Sequence, residues 1–169
     1  MTKTITCTDI DGKKFEVAIK DLIWRPSAYG IVIREGKILL SKQFGDRYDL
    51  PGGGVDLGES PEEGVIREIK EETGIDAIKP KLVGTENSFF QSSHSKENKS
   101  YQCILMYFVC EYAGGELSVD VFDEDEQEYA ELAEWIPIAG IDGLNLASTV
   151  DYRKYLNAYT KSVSYKLSQ

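Results

Sequence analysis

The chain has 169 residues, of which 41% are hydrophobic and 28% are charged, and its net charge at pH 7 is −10. These values are typical of one soluble globular domain with a sizeable core, and the negative charge disfavours binding to a polynucleotide backbone. No apolar run reaches the roughly 18 residues of a membrane span, and the N-terminal residues lack the apolar stretch of a signal peptide. The three cysteines, an odd number, argue against a disulfide framework. We therefore expect a reduced, cytoplasmic protein without a membrane partner.

The first element is a predicted β-hairpin at residues 3–19, in which two strand-like segments flank an Asp11-Gly12 turn. We assign it to an N-terminal extension, residues 1–24. The hairpin either extends the sheet of the following domain or forms the contact of a homodimer, and the sequence does not decide between these roles. A connector at residues 21–26 then leads to a second hairpin, residues 28–42.

A polar loop at residues 42–49 is followed by three glycines, Gly52 to Gly54, which allow a ligand to approach the backbone closely. A helix is predicted directly afterwards. Ser60 is suited to its N-cap, Pro61 to its first turn, and Glu63 to the return arm of a capping box. Gly74 is suited to the left-handed position that ends a helix.

Glu68, Glu71 and Glu72 fall on one face of this helix, because successive residues are about 100° apart. The carboxylates repel one another at this spacing, and a divalent cation such as Mg²⁺ or Mn²⁺ would relieve the repulsion. The alternative is a solvated acidic face that binds nothing. An apolar stripe beside the carboxylates is predicted to face the core, and its members are Val65, Ile66 and Ile69.

The spacing of residues from Gly53 to Ile75 is G-x5-E-x7-R-E-U-x-E-E-x-G-U, where U is apolar. This pattern resembles the Nudix box of the MutT-like Nudix hydrolases at every fixed position. The segments before the box resemble the family's first core strands. The resemblance covers residues 25–142, which we predict to be a Nudix domain, with residues 143–169 forming a C-terminal helix packed on the same domain.

The resemblance implies an α/β fold, the Nudix α/β/α sandwich, with a mixed β-sheet between helices. It also implies a Mg²⁺ or Mn²⁺ cofactor, with Arg67 orienting the metal-binding carboxylates. The general base is either Glu68 or an acid from a later loop, Glu126 or Glu128, and the sequence leaves these alternatives open. The implied metal ligands are the Gly52 carbonyl, Glu68, Glu71, Glu72 and, more weakly, Glu59.

Two strands are predicted after the box, at residues 78–86 and 101–112, separated by a polar loop that holds the only histidine. Cys103 and Cys110 have opposite parity on the second strand and are expected to face opposite sides of the sheet. The acidic run that follows, residues 120–134, holds eight acids and no Lys or Arg. Each acid in it is as compatible with a solvated surface as with a metal site.

The end of the chain is predicted to supply the last strand, residues 135–138, and a helix at residues 149–161. The apolar and aromatic residues of that helix recur at helical spacing, so we interpret them as core rather than as a ligand site. Further aromatic residues are either core or able to stack on a base, with core favoured, and they are Tyr29, Tyr48, Phe89 and Phe90.

The resemblance implies hydrolysis of a nucleoside diphosphate linked to another group, and the substrate is expected to be a small nucleotide. A nucleoside triphosphate is one candidate, and a nucleotide-sugar or ADP-ribose is the alternative. Phe89 and Phe90 stand where ADP-ribose hydrolases tend to carry a proline, which lowers that assignment without excluding it. A non-catalytic nucleotide sensor is a hypothesis of another class, which the intact box disfavours.

Overall fold

A mixed β-sheet forms the centre of the molecule. The computed structural model describes residues 2–43, 45–92, 98–119, 130–148, 150–157 and 159. Within these residues, ten strands pair into one sheet, one α-helix of 13 residues lies against it, and two short 3₁₀ helices span Ile19–Asp21 and Ile138–Gly143. The elements are β1 Thr4–Thr8, β2 Lys14–Ala18, β3 Ile23–Arg34, β4 Lys37–Gln43, β5 Arg47–Asp49, β6 Gly52–Gly54, α1 Pro61–Thr73, β7 Ile75–Gln91, β8 Ser100–Gly115, β9 Ala130–Pro137 and β10 Asn145–Leu146.

The strand order is β10-β5-β4-β3-β8-β7-β1-β2, with β6 paired to β3 and β9 paired to β4. The long strands β3 and β8 run parallel, from Ile23 opposite Tyr101 to Val32 opposite Cys110. β7 runs antiparallel to β8 on its other side. β8 is largely apolar in its middle because the sheet is covered on both faces at this point, which leaves no solvated side.

The two faces of the sheet hold separate cores. Cys103, Leu105 and Tyr107 point to one face and Phe108 and Cys110 to the other, because side chains alternate along a strand. The prediction that the two cysteines face opposite sides is thus confirmed. We call the face covered by α1 the box-helix face. The opposite face is covered by the 3₁₀ helix Ile138–Gly143 and the C-terminal helical residues, and we call it the distal face. This layering is the predicted α/β/α sandwich.

Helix α1 begins and ends as its sequence predicts. The Ser60 hydroxyl accepts a hydrogen bond from the Glu63 N–H, and the Glu63 carboxylate accepts one from the Ser60 N–H, which completes the capping box. Gly74 adopts φ = 76° at the C-terminal end. Ile69 packs closely over Gly30 of β3, where a larger residue would collide with the Ile69 side chain. The caps thus fix the ends of the helix, and the contact of Ile69 with Gly30 holds the helix close to β3.

Several boundaries differ from the sequence predictions. β3 begins at Ile23, inside the predicted connector, and β5 lies inside the predicted polar loop. The N-terminal hairpin extends the sheet, since Thr8 of β1 pairs in parallel with Phe90 of β7. At the C-terminus the helical residues are 153–157 and 159, so the described helix begins later than predicted. The division of the chain at residues 24 and 142 stays a prediction.

Among the described residues, no helix has both the length and the apolar character needed to cross a membrane. The three cysteines are buried and carry free thiols. Burial raises the pKa of Cys110 to about 12. A thiol with so high a pKa is almost entirely protonated at neutral pH, so this cysteine behaves as a core residue.

Candidate active site

The glycine turn, Gly52–Gly54, lies directly against β3. It pairs antiparallel with Ser27, Ala28 and Tyr29, and the Gly30 N–H donates to the Pro51 carbonyl at 2.8 Å. Gly52 has φ = 151°, and a side chain there would overlap the Ala28 carbonyl oxygen. Only glycine permits this close approach of two backbone segments.

The glycine turn also contacts α1. The Gly52 N–H donates to the Glu72 carboxylate at 3.2 Å. A methyl group on Gly53 would stand 2.8 Å from both carboxylate oxygens of Glu68, whose side chain is only 12% exposed. The Glu68 carboxylate therefore rests on the backbone of the turn, and the absence of a side chain at Gly53 makes room for it.

Arg67 connects the carboxylates of this region. Its guanidinium makes a bidentate pair with Glu59, at 2.6 Å from Nη2 to Oε1 and 3.2 Å from Nε to Oε2. Nη1 donates to Glu68 at 3.0 Å and to Glu71 at 2.8 Å. Nη2 also donates to the Gly54 carbonyl at 3.1 Å. One side chain thus ties the residue before the helix N-cap, the glycine turn and the helix together.

The cluster carries excess negative charge. Hydrogen bonds from Arg67, and then from the Asp56 N–H, lower the pKa of Glu59, so this carboxylate stays ionised well into the acid range. The same pairing raises the pKa of Arg67 above its ordinary value. Glu59, Glu68 and Glu71 pair with the Arg67 guanidinium, and Glu72, which binds the Gly52 N–H, adds a fourth carboxylate, so these four acids and Arg67 carry a formal charge of −3. Such an excess attracts a cation.

The donor set suits a hard divalent cation. All four carboxylates supply oxygen ligands of the kind that Mg²⁺ and Mn²⁺ bind. Across the described ranges, however, no three His, Cys, Asp or Glu side chains already converge on one metal position. The Arg67 guanidinium holds Glu59, Glu68 and Glu71 instead. The chemistry of the site fits a divalent metal, while the roles of the individual ligands stay predictions.

The structure brings most of the predicted site residues to one place. Glu126 and Glu128, the predicted alternatives for the general base, lie outside the described residues. Tyr29, a predicted stacking candidate, lies half-buried on the distal face with its ring stacked on Tyr107 at 5.8 Å. This placement favours the core interpretation of Tyr29. The predicted residues that meet at the glycine turn are Gly52, Glu59, Arg67, Glu68, Glu71 and Glu72.

Sequence reasoning missed Asp49, which ends β5 three residues before the glycine turn. Burial raises the pKa of Asp49 to about 7, although the Leu50 N–H donates to it at 2.8 Å. Burial and then the Asp49 carboxylate raise the pKa values of Tyr107 and Tyr152. The Tyr107 hydroxyl lies near the hydroxyl of Ser148, whereas the Tyr152 hydroxyl is buried without a hydrogen-bond partner among the described residues. The available signal was an acid at the end of an alternating segment, which we had interpreted as a polar loop.

The Asp49→Asn substitution is expected to stabilise the protein as the pH rises. The folded-state pKa of Asp49, about 7, lies above the ordinary value of 3.8. The stabilisation from the neutral acid is therefore fully present below about pH 3.8 and is lost as the pH rises through 7. Asparagine cannot ionise. The free energy of unfolding of Asp49→Asn, measured with urea, should exceed that of the natural protein at about pH 8 and approach it at about pH 4.

Asp46→Asn provides the control for this comparison, because Asp46 is exposed on the same segment. It should change the free energy of unfolding equally little at both pH values. A pH-independent effect of Asp49→Asn would contradict the assignment of the raised pKa to burial.

Comparison of the sequence with known proteins identifies relatives of this chain. The profile described as "NUDIX domain" matches residues 24–159. An ADP-ribose pyrophosphatase from Methanocaldococcus jannaschii is 37% identical over 107 residues, which are 61% of this chain and 59% of that protein. The NAD-capped RNA hydrolase NudC from Vibrio atlanticus is 31% identical over 124 residues, which are 70% of this chain and 39% of that protein. The chain thus spans less than two thirds of the length of either relative.

Solved structures share the fold. A Nudix hydrolase from Nitrosomonas europaea superimposes with a TM-score of 0.62 at 17% identity, covering 83% of this chain and 90% of that one. The mutator MutT protein from Bacillus halodurans gives a TM-score of 0.58 at 26% identity, covering 73% of this chain and 75% of that one. At such low identity the first likeness concerns the fold alone.

Proposed function

Since the chain belongs to the Nudix family, we propose that it is a metal-dependent hydrolase of nucleoside diphosphates linked to another group. The observation that carries this proposal is the contact of the glycine turn with a partly buried carboxylate cluster. The glycine turn, whose backbone a ligand can approach closely, lies beside a cluster of four carboxylates and one guanidinium, that of Arg67.

Members of the family generally need a divalent metal, and we propose Mg²⁺ or Mn²⁺ for this chain. The proposed ligands are Glu68, Glu71 and Glu72 with the Gly52 carbonyl, and Glu59 as a weaker participant. When bound, the cation would neutralise charge on the diphosphate and promote the attack of water on phosphorus. Arg67 acts as a positioning residue, because its contacts fix the loop and two of the carboxylates.

We assign the general-base role to Glu68 among the described acids. Its carboxylate lies on the backbone of the glycine turn, where a bound diphosphate would approach, and is only 12% exposed. A base must stand within hydrogen-bond reach of the water that it deprotonates, so a position on the turn suits this role. Glu126 or Glu128 stays the alternative predicted from the sequence.

We also propose a class of substrate for this hydrolase. The names of the relatives include an ADP-ribose pyrophosphatase and a MutT-like protein from Streptomyces ambofaciens. For this chain we propose a small nucleotide, either a nucleoside triphosphate or a nucleotide linked to a sugar. We also propose a cytoplasmic location, and a homodimer in which the N-terminal hairpin takes part.

The proposal is tested by a hydrolysis panel in which the products are identified. The panel contains nucleoside triphosphates, including 8-oxo-dGTP, together with ADP-ribose, sugar nucleotides, dinucleoside polyphosphates and NAD-capped RNA. We expect cleavage of a phosphoric anhydride bond with Mg²⁺ or Mn²⁺, complete loss of activity with EDTA, and recovery when the metal is restored.

A different result would favour the nucleotide sensor. If no compound is cleaved with either metal while calorimetry shows that one of them binds, the hydrolase assignment is wrong. If cleavage persists in EDTA, the metal assignment is wrong, and the carboxylate cluster has another role.

A further inference from the structure

The side chain of Arg25, on β3, lies against the glycine turn. A methyl group placed on Gly54 would stand 3.0 Å from Nε and 3.3 Å from Nη2 of Arg25. The two backbones also run side by side at this point, since the Val55 N–H donates to the Pro26 carbonyl at 3.0 Å. The absence of a side chain at Gly54 therefore lets the Arg25 guanidinium rest directly on the backbone of the turn.

The ring of Tyr101 holds this guanidinium in place. Arg25 Cζ lies 5.4 Å from the centroid of the ring, which is within the range of a cation–π contact. The two residues are close because Arg25 pairs with Cys103 of β8, two positions from Tyr101 on the distal face. The contact orders the side chain, but the face of a ring provides no acceptor oxygen for the guanidinium N–H groups.

Arg25 has no acceptor for these N–H groups within the part of the chain that the structure describes. Its guanidinium contacts Gly54 and the Tyr101 ring there, and it makes neither a hydrogen bond nor an ion pair. Each of the other arginines pairs with at least one carboxylate, and they are Arg34, Arg47, Arg67 and Arg153. Since arginine binds phosphate through two parallel hydrogen bonds, a phosphate group is the kind of partner that fits Arg25.

The second guanidinium at the turn, that of Arg67, is already occupied. Its five N–H donors bind the Gly54 carbonyl and three carboxylates of the cluster. Gly54 thus contacts Arg67 through its carbonyl oxygen and Arg25 on the side where a Cβ would stand. Of these two cations, Arg25 is the one whose donors can bind an anion.

Arg25 and the carboxylate cluster are separated only by the backbone of the turn. Successive residues of β6 face opposite sides, so Gly53 lies against Glu68 and Gly54 lies against Arg25. Adjacent Cα atoms are about 3.8 Å apart, and neither glycine has a side chain that would keep the two groups apart. A diphosphate bound at the turn would therefore have the metal-binding carboxylates on one side and Arg25 on the other.

We propose that Arg25 binds a phosphate group of the substrate at the glycine turn, and that Tyr101 is the positioning residue for its guanidinium. The inference rests on the proposed function, since the diphosphate would lie at the turn. It deepens that function by assigning a phosphate contact to a residue outside the box. The metal would then neutralise negative charge from the carboxylate side, and Arg25 would do so from the distal side.

The test compares Arg25→Gln with Arg34→Gln. Arg34 is the matched control, because it lies on the same strand with Cζ 4.6 Å from the ring centroid of Tyr112 but pairs with β4 rather than with the turn. Calorimetry with Mg²⁺ measures the Kd of imidodiphosphate, a diphosphate analogue with a nitrogen bridge. Arg25→Gln should raise this Kd roughly 10- to 100-fold, since charge-assisted hydrogen bonds are lost. Arg34→Gln should leave it unchanged.

Two further measurements distinguish phosphate binding from mere support of the turn. The Kd of Mn²⁺ without imidodiphosphate should change by no more than about twofold in Arg25→Gln, because Arg25 contacts the turn and not the carboxylates. Tyr101→Phe keeps the ring and should bind imidodiphosphate like the natural protein. Tyr101→Leu removes the ring and should raise the Kd roughly two- to fivefold.

The outcomes separate this inference from the proposed function. If imidodiphosphate does not bind, or binds equally tightly to Arg25→Gln, the phosphate role is wrong. If Arg25→Gln weakens Mn²⁺ binding to the same extent, Arg25 only supports the turn, and the phosphate role is again wrong. If no substrate is cleaved while Arg25→Gln selectively weakens imidodiphosphate binding, the hydrolase is wrong and the phosphate role stands.

Thermal unfolding shows whether each variant is folded. If Arg25→Gln is not, Arg25→Lys replaces it in the comparison. Lysine keeps the positive charge but cannot form two parallel hydrogen bonds, so the Kd of imidodiphosphate should rise about threefold or more. An unchanged Kd in Arg25→Lys would overturn the phosphate role.

Discussion

Glu71→Gln is expected to lower the kcat of metal-dependent hydrolysis by roughly 10²-fold or more while leaving the fold intact. The substitution keeps the shape of the side chain and removes the negative charge, which weakens both the cation site and the pair with Arg67 at 2.8 Å. The Glu71 side chain is 42% exposed, and Arg67 keeps its pairs with Glu59 and Glu68, so the substitution leaves no buried charge without a partner. Steady-state kinetics over a range of Mg²⁺ concentrations would show the loss of kcat and a higher metal requirement.

The matched control for this variant is Glu62→Gln. Glu62 lies in the first turn of the same helix and is exposed to solvent. The substitution makes the same chemical change away from the Arg67 cluster, so kcat should stay within about twofold of the natural protein. If both variants lose activity equally, the loss would reflect helix stability rather than the metal site. If Glu71→Gln remains fully active, the carboxylate cluster is a solvated helix face.

The local features of the site could be predicted from the sequence because short-range rules govern them. The capping box needs only Ser60 and Glu63, three residues apart, and the left-handed end of the helix needs only Gly74. The two cores on opposite faces of β8 follow from side-chain alternation, as the positions of Cys103 and Cys110 show. Each inference depends on geometry within a few residues.

Contacts between distant segments could not be predicted in the same way. The pair between Arg47 and Asp11 joins residues 36 positions apart and depends on the path of the hairpin over the sheet. The parallel pairing of Thr8 with Phe90 depends on which edge of the sheet is open. Asp49 has a raised pKa because the fold buries it near Tyr107 and Tyr152, which are distant in the sequence. No single segment of the sequence indicates contacts of this kind.

Gly74→Ala is expected to lower the free energy of unfolding by about 2–5 kcal/mol. Gly74 has φ = 76°, a conformation that costs an L-residue roughly 1–2 kcal/mol. A methyl group there would also overlap the Glu116 carbonyl oxygen and stand 2.9 Å from the Ser118 nitrogen. The Ser118 N–H donates to the Thr73 carbonyl, so relieving the overlap would disturb the end of the box helix. Urea unfolding followed by circular dichroism measures the change.

Gly36→Ala separates the two causes of that destabilisation. Gly36 has φ = 74°, nearly the same conformation, but no described atom outside its immediate neighbours lies within 4 Å of an added methyl group. The free energy of unfolding of Gly36→Ala should therefore fall only by the cost of the left-handed conformation, about 1–2 kcal/mol. Equal losses in the two variants would show that the segment after β8 moves aside without cost. A larger loss in Gly74→Ala would show that the overlap with the segment after β8 cannot be relieved without cost. The glycine of the box would then act through the position of its helix, and through it on the carboxylates that the helix presents.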